Sequence, residues 1–344
     1  MTLVSVTVAV RDGVDWIDDC LRSLIDQTHR PLEVIIVDDG SRDGSREKVE
    51  SWGEHSLVTS VLQEASGLSA ARNAALELAQ GEWVATTDID VRPESDWIEN
   101  LLLASESLNE GEDIAGVTGR TIFDKTDDVV SKVRSREVAA KYRSRSRRTS
   151  LANGPCSMFK RDDLLSIGGF NPEWYHAEDM EVSLRLIQEG KDIIYTPDAL
   201  VHHVPETGMS RFLRKRRRDA RAHVRIIRKY PAKARRGPGF DFIGSSWSVL
   251  LMSPLLLISL AGFLMMFWLA LPNHGWSSDL FEQKSTLVGI IALSLDLILV
   301  LRVSRKRIPN PKEMLLYHAW SLALWHGILL GILDAISGRN GHRW

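Results

Sequence analysis

Apolar positions along the first ninety residues alternate between two periods. "LVSVTVAV" (3–10) is a β-branched run of strand length, and the apolar residues that follow, Trp16, Ile17, Cys20, Leu21, Leu24 and Ile25, recur at helical spacing. "LEVIIVDDGSRDGS" repeats the unit: a continuous apolar strand, a turn cluster at Asp38, Asp39, Gly40 and Ser41, and a polar helix start at Ser45. Residues 57–63 predict a third strand, 69–81 a helix stopped by Gly81, and "EWVATTD" a fourth strand, so the order is βαβαβαβ. Continuous apolar strands of this kind belong inside a parallel sheet covered on both faces, with ligands gathering beyond the carboxyl ends of the strands. Asp38 and Asp39 sit at one such end, Asp88 and Asp90 at another. Carboxylates one residue apart repel each other. A solvated turn accounts for one such pair more readily than for two at the same crevice.

Beyond residue 95 the pattern predicts a helix in "WIENLLLASESL" and a strand over 113–123. Residues 124–150, polar and then strongly basic, read as a mobile loop or short helix. "DDLLSIGGFNPEW" reads as a helix stopped at two glycines, "EDMEVSLRLIQEG" as a helix opening on two carboxylates, and "DIIYTPDALVHH" as strand, turn and strand.

After residue 243 the chain changes character. Residues 247–271 carry no charge, and as a helix would measure roughly 37 Å against a bilayer core of about 30 Å. Two further segments, 286–303 with Asp296 and 315–336 with His318, His326 and Asp334, are apolar but interrupted. The basic linker "RVSRKRIPNPK" is expected on the cytosolic side, which makes the first two helices a hairpin. The third then crosses again or lies as an amphipathic cap, and Arg339 and Arg343 favour a cytosolic end. No basic n-region or cleavage site follows Met1, so residues 1–235 are expected to form a cytosolic domain and 243–344 a membrane domain, placed in the cell membrane.

The formal net charge of −2 hides a segregation, with Arg and Lys crowding 134–148 and 211–236. "RFLRKRRRDARAHVRIIRK", just before the membrane, suits anionic headgroups. Nucleic acid is excluded as a partner, since the run has no interleaved aromatics. Cys20 and Cys156 form no CxxC pair, so disulfide and zinc readings fall away and a reducing compartment is favoured.

The ordered set "SVTVAVRD", "VDDGS", "GLSAARNAAL", "TTDIDV", "GGF", "HAEDMEVSLRL" and "PDALVHH" resembles the family 2 glycosyltransferases, with their GT-A nucleotide-sugar fold, over residues 3–230. The resemblance implies an α/β nucleotide-sugar-binding domain followed by transmembrane helices. It implies metal-dependent, inverting transfer of a sugar from a nucleotide-sugar donor to a membrane-associated acceptor such as a lipid-linked saccharide. Paired carboxylates at a strand end are hard oxygen ligands suited to Mg²⁺ or Mn²⁺ on a diphosphate. By the family pattern Asp90 ligates the metal, with Asp88 near the ribose or a metal-bound water and His203, or less readily His202, as a further ligand. Val10, Asp38, Asp39, Arg72 and Asp88 are expected around the nucleotide, with Asp39 accepting a hydrogen bond from the base and Asp38 supporting its loop. Asp179 is expected to be the general base and Glu178 to orient the acceptor or loop, although acids also stabilise a first helical turn through its dipole. Arg217, Arg218 and Arg221 are candidates for the donor diphosphate or for lipid headgroups.

Processive relatives carry a QxxRW motif. The nearest match, Asn340, Arg343 and Trp344, has Asn for Gln and speaks against processive synthesis. Two other readings stay open: a polyprenyl-phosphate sugar synthase, and a catalytically silent membrane adaptor. Four retained acids, Asp39, Asp88, Asp90 and Asp179, argue against the adaptor.

Overall fold

The β-branched runs become strands where their pattern places them. The computed structural model describes residues 1–107, 109–174, 176–230, 246–269, 279–304 and 310–338. The sequence match at Asn340, Arg343 and Trp344, the tail Arg339 and residues 305–309 of the basic linker lie outside the described residues. Strands β1 (Val4–Val10), β2 (Leu32–Asp39), β3 (Val58–Gln63) and β4 (Trp83–Asp88) are parallel, in the order β3-β2-β1-β4. Helices α1 (Ile17–Ile25), α2 (Ser45–Trp52) and α3 (Leu68–Leu78) connect them. One buried cluster joins Val4, Val6, Val8 and Val10 to α1, and a second joins Ile35 and Val37 to α3, so both sheet faces are covered.

The sheet is mixed past β4. β5 (Val91–Pro93), helix α4 (Trp97–Glu106), β6 (Ile114–Phe123), helix α5 (Val129–Arg143), β7 (Arg148–Thr149), β8 (Ser157–Lys160), helices α6 (Arg161–Ser166) and α7 (Glu178–Gln188) and β9 (Asp192–His203) follow in the chain. β8 runs antiparallel to both β4 and β6, β6 is parallel to β9, and β5 is antiparallel to β9. The expectation of parallel strands therefore holds for the first half only. "DIIYTPDALVHH" is one strand whose register against β6 shifts, not two strands around a turn.

Residues 129–143, expected to be a loop or short helix, form the full helix α5, started by the Asp128 carboxylate accepting hydrogen bonds from the Val130 and Ser131 amides. Its buried valines, Val130, Val133 and Val138, are sparse because its faces meet different neighbours.

Helix α8 (Met209–Lys229) leads to α9 (Ser246–Leu269), α10 (Asp279–Val303) and α11 (Pro311–Ile336). All three of the last helices are long and apolar enough to cross a membrane. α9 and α10 touch where Gly262 meets Gly289: a Cβ on Gly262 would lie 2.9 Å from the Gly289 Cα, a contact only a residue without a side chain permits. Pro254 lies inside α9 and has no amide proton for the carbonyl four residues back. That carbonyl, of Leu250, instead accepts from Trp325 Nε1 at 2.8 Å and Ser321 Oγ at 3.1 Å, both on α11. α5, α8 and the last three helices share one buried cluster, centred on Phe212 and Trp320, whose rings meet edge to face at 4.9 Å.

Candidate active site

The threonines before the acidic pair have work to do. Thr86 Oγ1 donates to the Gly154 carbonyl at 3.2 Å and Thr87 Oγ1 to the Pro155 carbonyl at 2.9 Å, clamping the "NGPC" turn against the crest of β4. The Gly154 amide in turn donates to Asp179 Oδ2 at 3.1 Å, while Asp179 Oδ1 accepts from the Met180 amide at 2.7 Å. The carboxylate at the start of α7 is thus held by two backbone donors. Ala177 just before it has φ +60°, an uncommon left-handed conformation for a residue with a Cβ, which turns the chain sharply into the helix.

Arg72, 4% exposed, donates from Nη1 to Glu178 Oε1 at 2.8 Å and from Nη2 to Asp88 Oδ1 at 3.1 Å. Its guanidinium also lies 5.3 Å from the Phe170 ring centroid. Burial pushes the Glu178 carboxyl above its ordinary range, and Arg72 opposes that. Arg72, expected at the nucleotide, is a buried strut between the acids of β4 and α7 and also lines the cavity beside them. Glu178, 8% exposed, anchors the strut and lines the same cavity.

Antiparallel pairing of β5 with β9 sets Val91 opposite His203, which brings His203 Nε2 to 3.5 Å from Asp90 Oδ1. His203 Nδ1 donates to the Val204 carbonyl at 2.8 Å, so the other ring nitrogen points at the Asp90 carboxylate. The imidazole stacks on Phe123 with centroids 4.3 Å apart. Burial raises the Asp90 carboxyl above its ordinary value, with His203 acting against the rise and Asp88 adding to it. Two acids and an oriented imidazole suit a divalent cation that keeps phosphate oxygens and water in its remaining positions. Among the described residues no group of three or more His, Cys, Asp or Glu side chains is assembled to hold a metal ion by itself. His202 points elsewhere, with Nε2 2.8 Å from Glu94 Oε1.

Asp88, His203, Glu178 and Asp179 line one cavity of about 390 Å³. Its far wall is α8, but through Lys215, Arg216, Asp219 and His223 and not through the arginines chosen from sequence. Arg221 is paired with Asp334 of α11, at 2.5 and 2.7 Å, and the Arg217 backbone lies against Gly327 of α11. Arg218 is not in the lining either. The buried residues of α8 are Phe212, Arg216, Ala220, His223 and Ile226, whereas 217, 221 and 224 meet α11, and Lys215 and Asp219 lie across the helix from those three. Arg216 pairs with Asp219 at 3.1 Å, and Asp219 with His176 Nε2 at 2.8 Å, which ties α8 to the turn before α7.

The nucleotide half of the expected site is divided. Asp39 Oδ1 already accepts from Gln63 Nε2 at 2.7 Å and the Ser66 amide at 2.7 Å, and both oxygens approach the Gly67 amide. It fixes the loop that starts α3. Asp38 accepts from the Ser41 amide at 3.2 Å, as a loop support should. The Val10 side chain, 1% exposed, belongs to the sheet core, which leaves its main chain at the crest for a nucleotide.

Residues 5–168 match the sequence profile of glycosyl transferase family 2. Over these residues the amino-terminal domain is similar to glycosyl transferase family 2. The family 2 domain is 40% identical over 102 residues to the putative teichuronic acid biosynthesis glycosyltransferase TuaG of Bacillus subtilis (strain 168), covering 29% of this chain and 40% of that protein. It is 27% identical over 203 residues to the glucosyl-dolichyl phosphate glucuronosyltransferase of Haloferax volcanii, covering 54% of this chain and 63% of that one. The match with TuaG thus spans well under half of that relative's length. In fold, 96% of the chain superposes on 87% of the mannosyltransferase PcManGT from Pyrobaculum calidifontis, a structure in complex with GDP-Man and Mn2+, with a TM-score of 0.58 and 21% identity. The shared architecture is therefore GT-A, with the family 2 domain preceding apolar helices.

Proposed function

We propose that the chain transfers a sugar from a nucleotide sugar to a hydroxyl of a membrane-associated, lipid-linked acceptor, with inversion at the anomeric carbon. The observation that supports this best is Asp179, fixed by two backbone donors and opening into the same cavity as Asp88 and His203. Asp179 takes the acceptor proton as the hydroxyl attacks from the face opposite the nucleotide. Arg72 keeps the two acidic elements in register from beneath. Lys215 and Arg216, on the α8 wall, face the departing diphosphate. Asp90, Asp88 and His203 would hold Mn²⁺ or Mg²⁺, which supplies positive charge to the leaving diphosphate when bound. The metal-bearing neighbour and the lipid-phosphate relative agree with this reading.

The test is nucleotide release from a panel of nucleotide sugars by the detergent-solubilised protein with membrane lipid extract, with and without Mn²⁺ or Mg²⁺. Release from one donor should require the metal and increase with extract. Asp90→Ala should lower it by at least a hundredfold; undiminished release in that variant would sink the metal assignment.

The anchor follows from α8. Lys215 and Arg216 line the cavity, and the same helix packs along α11, with Phe212 on Trp320, Ala220 at Gly327 and Val224 at Gly331. A helix this rich in arginine does not enter hydrocarbon. We infer that α11 lies in the interface plane under α8 and the family 2 domain, while α9 and α10 cross. Leu315, Leu322, Leu329 and Ile336, seven residues apart and all more than half exposed, form its lipid-facing stripe. Cysteines placed singly at these four positions and read by depth-dependent quenching from brominated lipids should lie at one shallow depth. Depths graded from one leaflet to the other would mean that α11 spans. The basic linker supports a cytosolic position for the family 2 domain.

A further inference from the structure

A second cavity, of about 680 Å³, opens on the other side of α5. Arg134, Val138 and Lys141 of that helix face the first cavity, and Ser135, Ala139 and Arg143 face the second. Thr121, Phe123 and Tyr142 line both, so the two spaces adjoin. Arg120, Lys125, Arg143, Arg145 and Arg147 line the second cavity, and among the described residues no carboxylate does. Arg147 has a partner in Glu112, at 2.9 Å. Arg120 has no ion pair among the described residues, and its buried Nε has no hydrogen-bond partner. Arg145 donates to Thr149 Oγ1 and the Leu151 carbonyl, but its buried Nη1 is likewise unpartnered. Cations gathered without counter-charge repel one another and leave desolvated donors unpaired, which an anion in the cavity would relieve.

Shape narrows the ligand. Tyr142 and Tyr195 stack with centroids 5.9 Å apart, and the Arg145 guanidinium lies 5.3 Å from the Tyr195 centroid, giving a rigid aromatic floor beside the charges. Flat rings accept the apolar face of a sugar, and guanidinium forks match carboxylate or phosphate groups carried on it. The volume is in the range that encloses a small ligand. We propose that this cavity binds an acidic saccharide, the anionic portion of the acceptor, whose accepting hydroxyl reaches Asp179 past Tyr142. The identification of the ligand as acceptor rests on the transferase reading above; the anion site does not.

The test uses the full chain in neutral lipid nanodiscs, with digalacturonate as probe, maltose as the neutral control, and calorimetry or saturation-transfer NMR as readout. Digalacturonate should bind at low salt, at least tenfold more tightly than maltose. The double variant Arg120→Gln, Arg143→Gln should weaken it at least tenfold with the melting temperature unchanged, and saturating GDP or UDP with Mn²⁺ should leave it in place. If that variant does not fold, Lys125→Gln, at an exposed position, should give a smaller loss in the same direction. Equal binding of maltose, or displacement by nucleoside diphosphate, overturns the proposal. So does failure of digalacturonate while nanodiscs containing phosphatidylglycerol engage Arg120 and Arg143, which would make the cavity a headgroup site. Nucleotide release is measured on the same samples. Loss of digalacturonate binding with release intact defeats this site alone, whereas binding without release from any donor defeats the transferase reading and leaves the anion site standing.

Discussion

Asp179→Asn should abolish sugar transfer while leaving metal-dependent nucleotide binding as it is. An amide of the same shape cannot take a proton from the acceptor hydroxyl, and general-base catalysis contributes typically 10²–10⁴-fold. The competing account is that Asp179 only caps α7. The substitution removes at most one of its two backbone contacts, from Gly154 or Met180, and a charge at a helix N-terminus. Those effects are worth about 1 kcal/mol each, and act on folding, not on the reaction. The two accounts therefore separate in kind as well as size. Nucleotide release by Asp179→Asn within tenfold of the unaltered protein, with a lowered melting temperature, would reduce Asp179 to a cap.

The second large effect is expected at Arg72. Arg72→Met should cost about 3–5 kcal/mol of stability, because it strands two carboxylates that the guanidinium now bridges. The loss should depend on pH. Burial already lifts the Glu178 carboxyl above its ordinary 4.5, and without Arg72 it rises further. An acid whose folded pKa is raised destabilises the fold once the unfolded state is ionised, and that penalty vanishes when both states are protonated. The deficit should thus be greatest at neutral pH and shrink as pH falls through the raised folded value toward 4.5. Denaturant titration from pH 7 to pH 5 reads this directly. A deficit independent of pH would mean that packing on Phe170, and not charge, is what Arg72 provides.

Particular residues show how far the sequence could be read. β1, β2 and β4 were legible because each is a run of buried β-branched residues, and the acids at their ends were legible as a crest because parallel topology leaves them no other place. Asp90 and His203 are over a hundred residues apart, and only the β5–β9 register joins them; no local pattern carries that information. Arg72 and Glu178 were found as candidates, yet their mutual ion pair spans 106 residues, so a strut could not be told from a ligand contact. α5 was missed because helical periodicity reports one apolar face, and this helix divides its faces between two polar cavities and a membrane-side cluster. The choice of Arg217, Arg218 and Arg221 over Lys215 and Arg216 followed the charge run, which is cationic nearly all round the helix and so does not say which side α11 covers.

α8 belongs to two structures at once: one side completes the cavity that Asp179 lines and the other is the ceiling under which α11 packs. The amino-terminal domain is accordingly not a detachable module. A chain ending at Tyr230 would bare Phe212, Val224 and the Ala220 surface that Gly327 now covers, and would release Arg221 from Asp334. The side that bears Lys215 and Arg216 would lose its backing. Solubility gained by trimming the apolar helices would come at the expense of the cavity itself, so this chain has to be handled and engineered together with those helices throughout.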